Sequence, residues 1–379
     1  MKEGWEYKKL GDVCEILDSR RKPITKNKRE SGIIPYYGAT GLLDYVKDFI
    51  FDEKLVLLGE DGAKWGAGET SAYIIEGKSW VNNHAHALRP KRDLLKDELL
   101  VYYLNFSNLL PYITGVTVPK LNQEKMRSIE IPIGPVKEQQ SIVDYLDSAF
   151  AKIDAMKANA EKQLSEARAL FQKALTKAME PKEGWEKKKM KEIAQVKIGP
   201  FGSLLHKRDY ISGGIPLVNP IHMIEGKIVA NNDYTISEEK AKELSAYLLR
   251  TNDVIFARRG EIGRCAIVSS NEDGFLCGTG SLFVRFKAKV DNAFMQMLFQ
   301  SEVCKNYLLK SASGATMLNI NAGIVEEMPL TIPSLSEQQR IVSRLDSLSA
   351  HVRELEEVLQ KTIAECDALK QALLRQVFE

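Results

Sequence analysis

One internal duplication constrains this chain more than any other feature. Glu3-Gly4-Trp5-Glu6-Tyr7-Lys8-Lys9-Leu10 recurs 180 positions later as Glu183-Gly184-Trp185-Glu186-Lys187-Lys188-Lys189-Met190. A second match closes each unit: Glu138-Gln139-Gln140-Ser141-Ile142-Val143 returns as Glu337-Gln338-Gln339-Arg340-Ile341-Val342. Between these anchors Ile34-Pro35 answers Ile215-Pro216, Leu121-Asn122 answers Leu318-Asn319, and Ile131-Pro132 answers Ile332-Pro333. A period this long means two copies of one plan, so the fold of one half predicts that of the other. Each copy is a variable block followed by a helix.

The helices follow from apolar spacing. In the first, Ile142, Leu146, Ala149, Ile153, Met156, Ala160, Ala167 and Leu170 recur in alternating steps of four and three, interrupted at Gln163. In the second, the same register gives Ile341, Leu345, Leu348, Val352, Leu355, Leu359, Thr362, Cys366 and Leu369. A sustained 3.5-residue period is that of a coiled coil, whose two apolar columns face a partner helix. Pro135 and Pro333 stop the preceding strands, and Ser336 with Gln339 reads as a capping box. Each helix is about 40 residues, or ~60 Å long. Between Met179 and Trp185 the chain can span only ~20 Å. The second block therefore begins where the first helix ends, and the second helix must run back antiparallel. The expected result is a dumbbell with approximate two-fold symmetry.

The predicted fold class is α+β: two mixed globular domains joined by two long antiparallel helices. The expected boundaries are 1–135 and 180–335 for the blocks, and 136–179 and 336–379 for the helices. Short apolar runs such as Leu55–Leu58, Ala72–Ile75, Asp253–Phe256 and Ser281–Phe286 read as strands between Gly- and Asn-rich turns. Helical stretches near 96–110 and 293–309 match one another.

Catalytic motifs are missing. No G-x-x-x-x-G-K-[ST] phosphate loop occurs. Asn219-Pro220-Ile221-His222 shares only its first two letters with the N-P-P-[FY] loop of adenine methyltransferases, which clamps a flipped base. His84 and His86 fall two apart on an expected strand, but no third ligand is evident, and no metal site is predicted. The five cysteines (Cys14, Cys265, Cys277, Cys304 and Cys366) form no C-x-x-C pair and read as reduced thiols of a cytoplasmic protein. No apolar run reaches the ~18 residues of a membrane span, and the first residues have no apolar signal core.

Binding chemistry is better represented, although a net charge of +2 does not by itself announce a nucleic-acid partner. Arg20, Arg21, Lys22, Lys26, Lys28 and Arg29 place six cations in ten residues without an acid. Such a loop can lie along a phosphate backbone or simply face solvent. Its counterpart in the second block carries Ser203, His206, Lys207 and Arg208. Lys64 and Trp65 follow one strand, Arg258 and Arg259 follow its equivalent, and Asn82, Asn83 and His84 precede another. Arg, Lys, Asn and His on loops are the residue types that read base edges.

The order of variable block, E-Q-Q helix, variable block, E-Q-Q helix, with G-W-E openings and Ile198-Gly199-Pro200-Phe201-Gly202-Ser203, resembles the specificity subunit of type I restriction-modification systems. The likeness spans essentially the whole chain. It implies that each block is a target-recognition domain reading one half of a split double-stranded DNA site. It also implies that the helices set the gap and dock two methyltransferase subunits, and that restriction subunits complete the complex. The resemblance further implies no catalytic site or cofactor in this chain. S-adenosylmethionine, ATP and Mg are then expected on the partners, for adenine-N6 methylation and ATP-dependent cleavage. The residues alone leave a second reading open, a coiled-coil scaffold holding two protein-binding domains apart.

Overall fold

The computed structural model describes residues 4–115, 117–312 and 319–379, so Glu3 of the first opening and Leu318 of the expected match lie outside the described residues. The chain divides into two compact units, Met1–Lys162 with Leu359–Glu379, and Gln163–Val358. Each unit therefore holds one globular block and one part of each long helix.

In the first unit a four-stranded antiparallel sheet runs in the order Cys14–Ile16, Ala85–Pro90, Leu55–Gly59, Ala72–Ile75. Its central strand, Leu55-Val56-Leu57-Leu58-Gly59, is buried throughout because both faces are covered. Period-two alternation divides it between two cores. Val56 and Leu58 join Leu99, Leu100 and Leu104 of the Asp97–Phe106 helix, while Leu55 and Leu57 join Phe51 and Val81. A second sheet, ordered Gly41–Val46, Ser31–Gly38, Lys78–Val81, Phe51–Asp52, includes a parallel pair, Tyr36 opposite Trp80.

The second unit repeats the plan. Its first sheet is ordered Ala194–Ile198, Ser281–Phe286, Val254–Ala257, Cys265–Ile267. Val254 and Phe256 enter one core and Ile255 the other. The parallel pair recurs as Leu217 opposite Leu276. Registers thus align Ile34-Pro35-Tyr36 with Ile215-Pro216-Leu217, as the sequence match has it.

Two other matches are corrected. Leu121 N donates to Glu60 O and Ile320 N donates to Arg258 O, both at the end of the central strand. Asn122 and Asn321 then each cap a short helix through the side chain. Leu121-Asn122 therefore answers Ile320-Asn321. In the ribbons that open each unit, Glu6 faces Ile133 and Glu186 faces Ile332, so Ile131-Pro132 answers Leu330-Thr331. Hydrogen-bond partners set the frame here, whereas an Ile-Pro pair can recur by chance.

The closing motif has a structural cause. Gln139 is fully buried. Its amide donates to Leu94 O at 2.7 Å and Gly134 O at 2.8 Å, and its oxygen accepts from Lys96 N at 3.0 Å. Gln338 likewise donates to Pro333 O and accepts from Asp291 N, both at 2.8 Å. Lys96 and Asp291 each precede the helix of their block. One buried amide thus ties each long helix to its domain. The opening motif reaches the same place in the first unit, where Trp5 Nε1 donates to Glu138 at 2.9 Å and its ring lies against Gly134. A Cβ at Gly134 would come within 2.2 Å of that ring.

The long helices are Val136–Ala178 and Leu335–Phe378. The cap of the second is Ser334, whose hydroxyl accepts from Glu337 N, two residues before the expected Ser336. One expected column is buried: Leu146, Ile153, Ala160 and Ala167 in the first helix, Leu345, Leu359 and Cys366 in the second, with Val352 half-buried. The other column is buried at Ile341 and half-buried at Ile142, Ala149 and Leu348, but is displaced by one residue at four of its places. Met156, Leu170, Leu355 and Leu369 are 55, 58, 43 and 47% exposed. Phe150, Lys157, Leu164 and Phe171, with Ser349, Glu356, Ile363 and Lys370, take the half-buried places instead.

Charged residues had disguised that column. In the first unit Lys157 Nζ lies 2.7 Å from both carboxylate oxygens of Asp367, and Lys370 Nζ lies 2.5 Å from Asp154. The two pairs run in opposite senses along the helices, so these segments are antiparallel. Lys370 also lies over the Phe150 ring at 5.1 Å. Its stem covers the seam while its ammonium reaches the rim. In the second unit Arg168 donates to Glu356 at 2.8 Å.

Candidate nucleic-acid interface

The basic stretch of the first unit separates by residue type. Its arginines are engaged by protein groups, Arg21 and Arg29 half-buried and Arg20 still exposed. Arg20 lies over the Phe51 ring at 4.4 Å and bonds Ile50 O and Glu53. Arg29 lies over Tyr36 at 4.3 Å and donates to Asp44 at 2.9 Å. Arg21 Nη1 donates to Glu60 at 2.6 Å and Ala85 O at 2.7 Å. Lys22, Lys26 and Lys28 are exposed. The expected row of six cations is therefore three arginines bound by protein groups, Arg20 among them still exposed, and three exposed lysines. The cause is geometric, since planar guanidinium forks match carboxylates and aromatic faces where ammonium groups stay hydrated.

Arg21 belongs to a buried ionic network. His86 Nδ1 faces Asp18 Oδ2 at 2.6 Å, and Nε2 faces Leu121 O at 2.7 Å. Lys120 Nζ reaches Glu60 at 2.6 Å and Gln123 donates to Asp18 at 3.1 Å. Burial would raise the Asp18 carboxyl, but His86, the Ala87 amide and Arg21 outweigh it and hold the group below its ordinary value. Glu60 is lowered in the same way, with Lys120 and Arg21 overcoming burial. Ligand atoms of Asp18, Glu60 and His86 lie within 4.8 Å of one another, a grouping that sequence spacing did not reveal. Both ring nitrogens and both carboxylates are already engaged by protein groups, which makes it a charge-compensated core.

His84 lies outside the Ala85–Pro90 strand, is exposed and pairs with Asp61, so it does not share the buried surroundings of His86. Asn83 is exposed beside it, whereas Asn82 is buried and accepts from His84 N at 2.8 Å. Lys64 is exposed. Trp65, expected on a loop surface, is 6% exposed, packs into the core and donates to Gly59 O. Its ring is too large and apolar to stay in solvent beside a leucine core.

In the second unit Ser203, His206, Lys207 and Arg208 are exposed. The preceding Gly199 is required by close approach, because a Cβ there would fall 2.1 Å from Gly278 O. Thr279 Oγ1 donates to Pro200 O at 2.8 Å, and the exposed Phe201 ring lies 5.8 Å from the Arg258 guanidinium. Arg259 is exposed, but Arg258 is buried, contrary to its expected place on an open loop. Its Nε and Nη2 donate to Asn319 Oδ1 at 3.2 and 3.0 Å, its backbone N donates to Gly280 O, and Nη1 has no partner among the described residues. Burial lowers the guanidinium pKa, as does Arg259 nearby.

Arg258 occupies the place that Glu60 holds in the first unit. Gly59 faces Ala85 and Ala257 faces Ser281 in register. The next residues form equivalent bridges, Asp61 with Lys120 and Arg259 with Asn319. Glu60–Lys120 in one block thus corresponds to Arg258–Asn319 in the other. Lys120, Asn319 and Phe201 lie outside the sequence candidates, although Phe201 stands inside a quoted motif and Asn319 inside a quoted repeat match.

Known proteins resolve the family. The model of the type I restriction modification DNA specificity domain matches twice, over residues 2–166 and 182–365. The chain belongs to that family. It is a type I specificity subunit, the DNA-recognition component of a restriction-modification system. The S.HindORF215P chain of Haemophilus influenzae, named among the type I restriction enzyme specificity subunits, is 28% identical, with 94% of this chain and 91% of the relative covered. The MjaVIII specificity subunit of Methanocaldococcus jannaschii is 22% identical, with coverages of 91 and 86%. Among solved structures, a chain from a study of type I restriction-modification complex assembly and conformational transition has a TM-score of 0.76 at 17% identity, with 100 and 98% covered. The crystal structure of the HsdS subunit from Thermoanaerobacter tengcongensis has a TM-score of 0.57 at 17% identity, with 100 and 97% covered. These structures share the fold of this specificity subunit. Among its described residues no helix is long and apolar enough to cross a membrane.

Proposed function

We propose that each globular block reads one half of a bipartite double-stranded DNA site, and that the helix pair fixes the gap and docks two methyltransferase subunits. The observation that carries this reading is the duplicated specificity domain, whose two copies keep one frame but place different polar side chains at its equivalent loops. Exposed apolar side chains on the long helices support the docking role: Met156 and Leu369 in the first unit, Leu170, Leu355 and Val358 in the second. In isolation they leave apolar surface in water, and a partner helix or sheet would cover it. In this reading the chain contributes no catalytic group. S-adenosylmethionine, ATP and Mg belong to the partner subunits, restriction subunits join the complex, and it works in the cytoplasm as an adenine-N6 methyltransferase and ATP-dependent endonuclease. Footprinting of the chain with the methyltransferase subunit of its own system tests the proposal. Two short protected patches separated by a gap are expected. A single continuous patch, or none, would favour a scaffold that holds two protein-binding domains.

A further inference from the structure

The two units differ at one equivalent place, the residue after the central strand. In the first unit it is an acid, Glu60, whose carboxylate is met by Arg21 and Lys120 from the same block. In the second it is Arg258, 6% exposed, and among the described residues no carboxylate pairs with it. Its only side-chain hydrogen-bond partner among the described residues is the Asn319 amide oxygen, which takes both Nε and Nη2. Nη1 is buried and unpaired among the described residues. A buried charged donor without a partner is unfavourable, and an acceptor from outside the chain would complete it.

The chemistry of that acceptor follows from the groups that remain. With its oxygen held by the guanidinium, Asn319 offers only N–H donors, and Arg258 has only donors. The exposed Phe201 ring lies 5.8 Å from the same guanidinium. Two neighbouring donor groups call for two neighbouring acceptors. In the major groove only guanine presents that pattern, through O6 and N7; adenine and cytosine each present an amino donor, and thymine one oxygen and a methyl.

We propose that Arg258, oriented by Asn319, is the base-discriminating residue of the second block and selects guanine at one position of its half-site. This rests on the reading of the chain as a DNA-recognition subunit. Asn319 is a positioning residue as well as a donor. The first block, with Glu60 already neutralised at that place, cannot make the same selection there.

The test separates positioning from folding. In N319D the carboxylate strengthens the grip on Arg258 and removes the amide donors, so the fold is kept while base selection is lost. The chain, with its methyltransferase subunit, is used to select from a randomised duplex DNA library, and the enriched sequences are compared for the wild type, N319D and R258K. The wild type is expected to show one guanine column on one side of the gap. In both variants that column falls by about tenfold or more, the other columns persist, and N319D melts no lower than the wild type. R258K keeps the charge but loses the planar fork, so it reports on selection if N319D folds poorly. Guanine retained in both variants would overturn the proposal, as would a split site with no guanine column in the wild type. A reduced salt dependence with unchanged columns would assign the pair to a phosphate and overturn it equally. Failure of the wild type to enrich any split sequence would instead refute the DNA-recognition reading itself.

Discussion

The buried glutamine of each E-Q-Q motif supplies a measurable test of why the motif recurs. Replacing Gln139 by Leu keeps a side chain of similar length but deletes three hydrogen bonds, leaving Lys96 N, Leu94 O and Gly134 O without their partner. A buried polar group stripped of its partner costs about 1–3 kcal/mol. Water will reach some of the three, so the loss for the first unit should be about 3–5 kcal/mol. Gln338→Leu strands two groups in the second unit, Pro333 O and Asp291 N, and should cost about 2–4 kcal/mol. The neighbouring Gln140, among the described residues, bonds through its side chain only to Asp144 on its own helix and is partly exposed. Gln140→Leu should therefore stay within about 0.5 kcal/mol of wild type. At an m-value of about 2–3 kcal/mol/M for a unit of this size, Gln139→Leu shifts the urea midpoint of its transition by about 1–2 M. Far-UV circular dichroism follows the transitions, and amide exchange at residues 94–100 locates the damage. Equal effects of Gln139→Leu and Gln140→Leu would refute the anchoring argument.

Lys22→Ala, Lys26→Ala and Lys28→Ala should each lower the slope of log affinity against log salt by about one unit if they meet phosphates, measured by binding titrations at several salt concentrations. Arg21→Ala should act first on folding, because it leaves Glu60 and Asp18 undercompensated in the core; thermal melting separates the two outcomes. Ile153→Ala should destabilise the first unit by about 2–5 kcal/mol, whereas Met156→Ser should leave chain stability nearly unchanged and weaken methyltransferase binding, as sedimentation of the complex will show. His222 is buried, and burial lowers its pKa against the opposing bond to Leu217 O. The folded state then binds fewer protons than the unfolded state, so stability of the second unit should fall as pH drops below about 6.5, and His222→Gln should flatten that dependence in pH-resolved melts.

How far the sequence could be read depended on what kind of physics each feature uses. The duplication and the long helices were legible because they rest on periodicity and repetition, which a chain displays directly. The second seam column was misread because Met156 and Leu170 look like core residues while Lys157 and Glu356 do not. Only the cross-helix ion pairs show that charged stems cover the seam, and these join residues about 190 to 220 positions apart. The same limit governs the candidate interface. Composition marked Arg20, Arg21 and Arg29 as equal to Lys22, Lys26 and Lys28, but the acids that claim the arginines come from other segments. Arg258 is legible by its loop position, yet its meaning depends on Asn319, 61 residues away, and on the lack of an acid paired with it among the described residues. Charge in a sequence is therefore only an upper bound on charge available to a ligand. In the second block the informative quantity is the donor left unpaired among the described residues. It is the internal repeat that exposes it, because the first block shows what the same position looks like when the fold satisfies it.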